Sequence, residues 1–73
     1  MREAIGLTHA RDGKIAIHLG ARQVAEVGGD NEVAAEFRRL GIEASRKVNV
    51  SLKSGREFQV TAQSYLGENH ATK

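Results

Sequence analysis

Alternating apolar and polar residues near the start of the chain predict a β-hairpin. Ile5 and Leu7 alternate with small or polar residues, and the alternation resumes at Ile17 and Leu19. Pairing Leu7 with Ile17 and Ile5 with Leu19 puts these side chains on one face. The residues at the turn, 11–13, then form a three-residue loop with glycine in third place, where a left-handed backbone is needed.

A second alternation, in the C-terminal half, predicts a second hairpin. Pairing Leu52 with Phe58 and Val50 with Val60 gives this hairpin one apolar face. The loop is then 54–56, in which glycine is second rather than third. The turn chemistry of this hairpin is therefore less well explained than that of the first.

Between the hairpins, an apolar stripe with i, i+4, i+7 spacing through Val33 and Phe37 predicts an amphipathic helix. We expect Asp30 or Asn31 to cap its N-terminus and Gly41 to end it. Phe37 should pack into the sheet. The segment before the helix, 20–29, fits a short helix or a short strand equally well.

These elements predict an α+β fold, with a small antiparallel sheet from two β-hairpins packed on one main α-helix. Both phenylalanines, Phe37 and Phe58, are assigned to the core. A chain of 73 residues can build one thin core. We therefore expect a single α+β domain over residues 1–66 and a flexible tail over 67–73, where apolar periodicity is absent.

Composition narrows the chemistry. The sequence contains no cysteine, which excludes disulfides and thiolate zinc sites, and His9, His18 and His70 are not spaced as metal ligands. Phosphate-loop, zinc-protease and nucleophile-elbow motifs are absent. We therefore expect a protein that is not an enzyme and uses no cofactor or metal. Without a signal peptide or a membrane-spanning run, a cytoplasmic location is expected.

Charge is unevenly distributed. Residues 1–36 carry four cations and six acids, 4 − 6 = −2, whereas residues 37–73 carry seven cations and three acids, 7 − 3 = +4. The asymmetry suggests an anionic partner, either nucleic acid or an acidic protein surface, although a solvated charged face is the more common reason for a run of charges. Arg39 is expected beside Glu36, and Lys53 opposite Glu57. The remaining cations of the basic segment are the candidate partner-binding residues: Arg38, Arg46, Lys47 and Arg56.

The sequence pattern of residues 33–48 is similar to a helix-turn-helix motif, which would make the protein a Cro-like DNA-binding repressor. Two positions depart from that motif, because Phe37 and Lys47 stand where a small and an apolar residue are usual. The alternation that begins at Val48 also favours a strand over a recognition helix. DNA binding is therefore the alternative hypothesis. Stacking on single-stranded RNA is disfavoured, because Tyr65 is the one aromatic residue outside the predicted core.

In length, basic character, lack of cysteine and proline, and hairpin–helix–hairpin order, the chain resembles the small phage proteins that bind host RNA polymerase, the inhibitors and antiterminators of Xanthomonas phage type. The resemblance implies a monomeric transcription regulator in the host cytoplasm. It also implies binding to the large polymerase subunits, inhibition of initiation and antitermination. A weak nucleic-acid contact would accompany this protein–protein interaction, and no membrane would be involved.

Overall fold

The computed structural model describes residues 3–67, which form a five-stranded sheet, one long helix and one short helix. The elements follow one another as β1 Ile5–His9, β2 Ile15–Leu19, β3 Arg22–Val27, α1 Asp30–Leu40, β4 Lys47–Ser51, β5 Glu57–Thr61 and α2 Gln63–Leu66. The predicted α+β fold is confirmed. Of the predicted tail, 67–73, all but Gly67 lies outside the described residues, as does His70.

The strand order is β3-β2-β1-β4-β5. Both hairpins are antiparallel, and β1 pairs in parallel with β4, with Leu7 opposite Val50. The sheet is therefore mixed rather than wholly antiparallel. The predicted register of the first hairpin is confirmed, with Leu7 opposite Ile17. The ambiguous segment 20–29 supplies the edge strand β3.

The register predicted for the second hairpin is wrong by two residues. Val50 pairs with Phe58, and Val48 pairs with Val60. Leu52 donates its backbone N–H to the carbonyl of Arg56 at 2.8 Å, which closes a three-residue loop, 53–55. Both registers keep one apolar face, so alternation alone could not choose between them.

The two hairpin tips have the same construction. In each, the residue before the loop bonds to the residue after it, and the third loop residue, Gly13 or Gly55, has a positive φ of 92° or 95°. Left-handed backbone in this position is the usual solution for a three-residue loop, and glycine adopts it without strain. The turn rule that explained the first hairpin thus also determines the second.

The helix α1 ends as predicted, because Gly41 adopts the left-handed conformation with a φ of 74° and donates its N–H to the carbonyl of Arg38. Its N-terminal cap differs from the prediction. The cap position is Gly29, and no side chain caps the helix. Instead, the Glu32 carboxylate accepts the backbone N–H of Gly28 at 2.9 Å, so an acidic side chain reaches back over the first turn.

The core lies between α1 and one face of the sheet. Its centre is Phe37, which is fully buried and makes an edge-to-face contact with Tyr65 of α2, with ring centroids 5.7 Å apart. The assignment of Phe58 to the core is wrong, because 42% of its surface is exposed. None of the helices in the described part of the chain is long and apolar enough to cross a membrane.

Candidate functional site

The helix-facing side of the sheet is incompletely covered at the corner where β1, β4 and β5 approach their hairpin tips. By strand alternation, His9 of β1 and Leu52 at the end of β4 lie on the same face as the buried residues of those strands. Phe58 of β5 lies opposite buried Val50 of β4 and so shares that face. His9 and Leu52 are half-buried, and Phe58 is exposed. We call these three residues, His9, Leu52 and Phe58, the open corner. Within residues 3–67, Phe58 is the one large hydrophobic side chain that is exposed.

The parallel pairing of β1 with β4 brings the two hairpin tips to the same end of the sheet. Thr8, near the end of β1, lies opposite Ser51, the last residue of β4, so the loops that follow the two strands start side by side. A groove of about 290 Å³ separates the tips and is lined by His9, Ala10, Gly13, Leu52, Lys53 and Ser54. The open corner is therefore continuous with a groove between the two loops.

Four exposed cations lie in or directly beside the two loops, and we call them the basic rim: Arg11, Lys14, Lys53 and Arg56. Two acids lie among them. Asp12 accepts the backbone N–H of Lys14 at 3.0 Å, and Glu57 begins β5. Over the two loop segments 11–14 and 53–57, four cations against two acids leave a net charge of 4 − 2 = +2. An apolar corner with a basic rim suits a partner surface that is apolar at its centre and acidic at its margin.

The structure does not bring the four predicted partner-binding residues together. Lys47 starts β4, and Arg56 lies beyond its other end, five residue steps away, which corresponds to about 16 Å along the ribbon. Arg38, near the end of α1, and Arg46 belong to the same end of the sheet as Lys47. Of the four, only Arg56 lies in the basic rim.

Arg46 makes a structural contact that no local sequence pattern predicts. It is half-buried, and its guanidinium Nη2 donates to the carbonyl oxygen of Glu3 at 2.7 Å. The bond joins the chain before β1 to the chain before β4. The backbone carbonyl of Arg46 also accepts a hydrogen bond from the N–H of Ala62 at 2.7 Å, which extends the β4–β5 pairing by one residue pair. Arg46 thus holds strand ends together.

The predicted side-chain ion pairs have opposite outcomes. Arg39 bonds to Glu36, with Nε 2.8 Å from Oε1, which confirms the helical i, i+3 pair. The predicted pairing of Lys53 with Glu57 is wrong, because the register shift puts Lys53 in the loop and Glu57 opposite Ser51. Lys53 is therefore part of the basic rim rather than neutralised across the ribbon.

The helix-turn-helix hypothesis for residues 33–48 is also contradicted. The first helix of such a motif would be α1, but the chain after Gly41 continues through a turn into β4, at Lys47–Ser51. Val48 is a buried sheet residue. The segment that would have to enter the major groove as a recognition helix is thus an interior strand of the sheet.

A second hollow, of about 580 Å³, lies against the β4–β5 ribbon and is lined by Asn49, Val50, Ser51, Glu57, Phe58 and Gln59. Across it, the Gln59 amide nitrogen donates to the Asn49 side-chain oxygen at 3.0 Å. Both hollows therefore border the second hairpin. Residues 3–67 contain no cluster of three or more side chains that could hold a metal ion.

Sequence reasoning missed the open corner for two reasons. The glycine-third rule, applied to Gly55, would have given the correct register and released Lys53 from Glu57. No local signal, however, shows that α1 leaves Phe58 uncovered or that the two tips are neighbours, since both depend on the parallel pairing of β1 with β4.

No model of a known protein family matches the chain, and neither a curated protein nor a solved structure does.

Proposed function

We propose that this protein is a transcription regulator that acts by binding RNA polymerase through the open corner and the basic rim, without catalysing a reaction. In this proposal, the bound protein inhibits initiation and promotes antitermination. Polymerase as the partner comes from the resemblance to small phage regulators. The binding surface comes from the geometry of the second hairpin.

The observation that supports a protein partner is the exposure of Phe58. Because 42% of its surface is exposed to water, Phe58 has more apolar surface to bury against a partner than any other large hydrophobic side chain of residues 3–67. Aromatic side chains that become fully buried on binding are frequent energetic centres of protein–protein interfaces. The basic rim would add long-range attraction to an acidic partner and exclude basic ones.

DNA binding remains the alternative function, although its helix-turn-helix form is not supported by the strand at Lys47–Ser51. The basic rim could contact phosphates with Lys53 and Arg56, but such contacts are weak, sequence-independent and sensitive to salt. Neither the exposed Phe58 nor the groove beside it contributes to that kind of binding. A protein partner therefore accounts for more of the site.

The experiment is a titration of labelled protein with bacterial core RNA polymerase and, separately, with random and palindromic duplex DNA, at physiological salt. We expect tight polymerase binding and feeble DNA binding that salt abolishes. Phe58→Ala should weaken polymerase binding by about 30-fold or more, which corresponds to about 2 kcal/mol for an aromatic hot spot. Nanomolar binding to a palindromic duplex would contradict the proposal.

Two double variants with the same change in charge test the position of the site. Lys53→Gln with Arg56→Gln removes two cations from the basic rim, and Arg38→Gln with Lys47→Gln removes two from the opposite end. We expect the first pair to weaken polymerase binding several-fold and the second to change it little. Equal effects would show that net charge matters and the rim does not.

A further inference from the structure

The strand β5 has an unpaired backbone edge. It is the last strand in the sheet order. In an antiparallel pair, the backbone N–H and carbonyl groups of every second residue of β5 form hydrogen bonds with β4. Arg56 bonds to Leu52, and Ala62 bonds to Arg46, so the inward residues between them are Phe58 and Val60. By the same alternation, the backbone groups of Glu57, Gln59 and Thr61 point away from the sheet.

We propose that a second copy of this chain pairs with this edge, antiparallel and about a two-fold axis through Gln59. The two five-stranded sheets would then form one continuous sheet. The inference depends on β5 alone and does not rest on the proposed function. Because pairing would cover Phe58, self-association and polymerase binding through the open corner would compete.

The axis at Gln59 follows from the side chains of β5. In this register, all five residues of each strand are paired, and Phe58 of each copy lies opposite Val60 of the other, on the helix side of the sheet. Two apolar pairs thus continue the core face across the axis. On the other face, Glu57 lies opposite Thr61, so no two like charges meet.

Other two-fold registers are less favourable. An axis at Glu57 sets the two carboxylates opposite each other and Phe58 opposite Arg56. An axis at Phe58 pairs the rings but sets Val60 opposite Arg56. Axes at Val60 or Thr61 extend the pairing beyond Thr61, where the chain turns into α2. The self-complementary charge pattern therefore selects Gln59.

Side-chain hydrogen bonding supports the same register. Gln59 is already held by its bond to Asn49, 3.0 Å long, which orients its amide along the row of strands. At the axis, the two Gln59 amides would lie side by side and extend this row to Asn49 of each copy. Each amide offers a further donor and acceptor for that purpose.

One pair of five-residue strands makes a small interface, so we expect a reversible dimer with a dissociation constant between about 10 μM and 1 mM. Sedimentation velocity of the full chain alone, at protein concentrations across that range, should show a rise from the 7.9 kDa monomer towards twice that mass. A mass that stays at 7.9 kDa throughout would overturn the proposal.

Charge substitutions at the axis test the register. Gln59→Lys alone and Gln59→Glu alone should each weaken the dimer by up to about five-fold, because like charges meet at the axis. An equimolar mixture of the two variants should restore it as a heterodimer. If the axis lay at Phe58, position 59 would face Glu57, and Gln59→Lys would instead strengthen the dimer, which would refute our register.

Gln23→Lys is the matched control on the opposite edge strand, β3, and should leave the dimer unchanged. Circular dichroism of each variant establishes that it is folded, and two oppositely charged variants at position 59 guard against a folding defect in one. A dimer that survives in both variants at position 59, or is lost in Gln23→Lys, would place the contact elsewhere.

Discussion

The two edge strands of the sheet differ in ways that matter for association. The strand β3 carries a bulge at Val24, where its register with β2 shifts, and exposes charges at Arg22 and Glu26. The strand β5 pairs with β4 without a shift, begins with its one charged residue, Glu57, and exposes Phe58. Bulges and charges on an edge hinder pairing with another chain, whereas a regular apolar edge permits it.

The same difference extends to the layer above the sheet. The helix α1 begins after β3, contacts that strand, and packs against α2 through Phe37 and Tyr65, while the open corner remains in contact with water. The part of the sheet beneath the two helices therefore forms the core. The open corner has apolar surface available for a partner.

The largest expected contrast between the two sides lies in their phenylalanines. Phe37→Ala leaves a cavity at the centre of the core and should lower the free energy of unfolding by about 3–5 kcal/mol. Phe58→Ala removes a ring that is already 42% exposed and should cost about 1 kcal/mol. Urea denaturation of the two variants beside the parent protein measures both values.

A result in which Phe58→Ala costs as much as Phe37→Ala would show that the open corner is part of the core. Val50→Ala is a useful control, because Val50 is buried on the β4–β5 ribbon directly opposite Phe58. We expect its cost, about 2 kcal/mol, to lie between those of the two phenylalanine variants.

A smaller effect tests the feature that the two hairpins share. Gly13→Ala and Gly55→Ala each place a side chain on a residue with positive φ, and each should lower the free energy of unfolding by about 1 kcal/mol. Nothing lies within 4 Å of an added Cβ at either glycine, so backbone strain is the whole cost. A thermal denaturation series measures it.

Ser54→Ala, in the same loop as Gly55, serves as the control and should change stability little. A cost for Gly13→Ala with none for Gly55→Ala would contradict the shared three-residue construction of the tips.

The smallest predicted effect concerns Tyr65. This residue lies in α2, the short helix after β5, and its ring packs against Phe37 of α1. Burial, and secondarily the negative charge of Asp30, raise the pKa of the Tyr65 hydroxyl above its ordinary value of 10.0. The folded state therefore holds this proton more tightly than the unfolded state. The stabilisation is fully present below pH 10.0 and is lost as the pH rises through the folded-state pKa.

Thermal denaturation between pH 8 and 11 should consequently show a steeper alkaline loss for the parent protein than for Tyr65→Phe. Lysines also titrate in this range, and the comparison with Tyr65→Phe removes their shared contribution. Identical pH profiles would mean that Tyr65 ionises equally easily in both states.

Much of the fold could be predicted from local patterns. Alternation identified both hairpins, the stripe through Phe37 identified α1, and Gly41 marked its end. Where two registers satisfied alternation equally, as between Leu52 and Phe58 or Val50 and Phe58, turn chemistry was the deciding information, and only the first hairpin was assigned with it.

The candidate site was predictable only in part. Arg56 was identified as a basic partner-binding residue, and the structure places it in the basic rim. Lys53 was discounted because the wrong register paired it with Glu57. Phe58 was assigned to the core, since a hydrophobic residue on the apolar face of a strand is usually buried there. The extent of the helix layer above it has no signature in the local sequence.

The sequence by itself determined which side chains share a face and where the chain turns. Both follow from short-range physics, the two-residue repeat of a strand and the left-handed backbone that glycine permits. Only the tertiary structure decided that β1 lies beside β4, that the two tips meet around a groove, and that β5 keeps a free edge beside an exposed Phe58. Those outcomes depend on how the helix and the two hairpins pack together around one small core. This arrangement is determined by contacts between residues far apart in sequence, which form only when the whole chain folds.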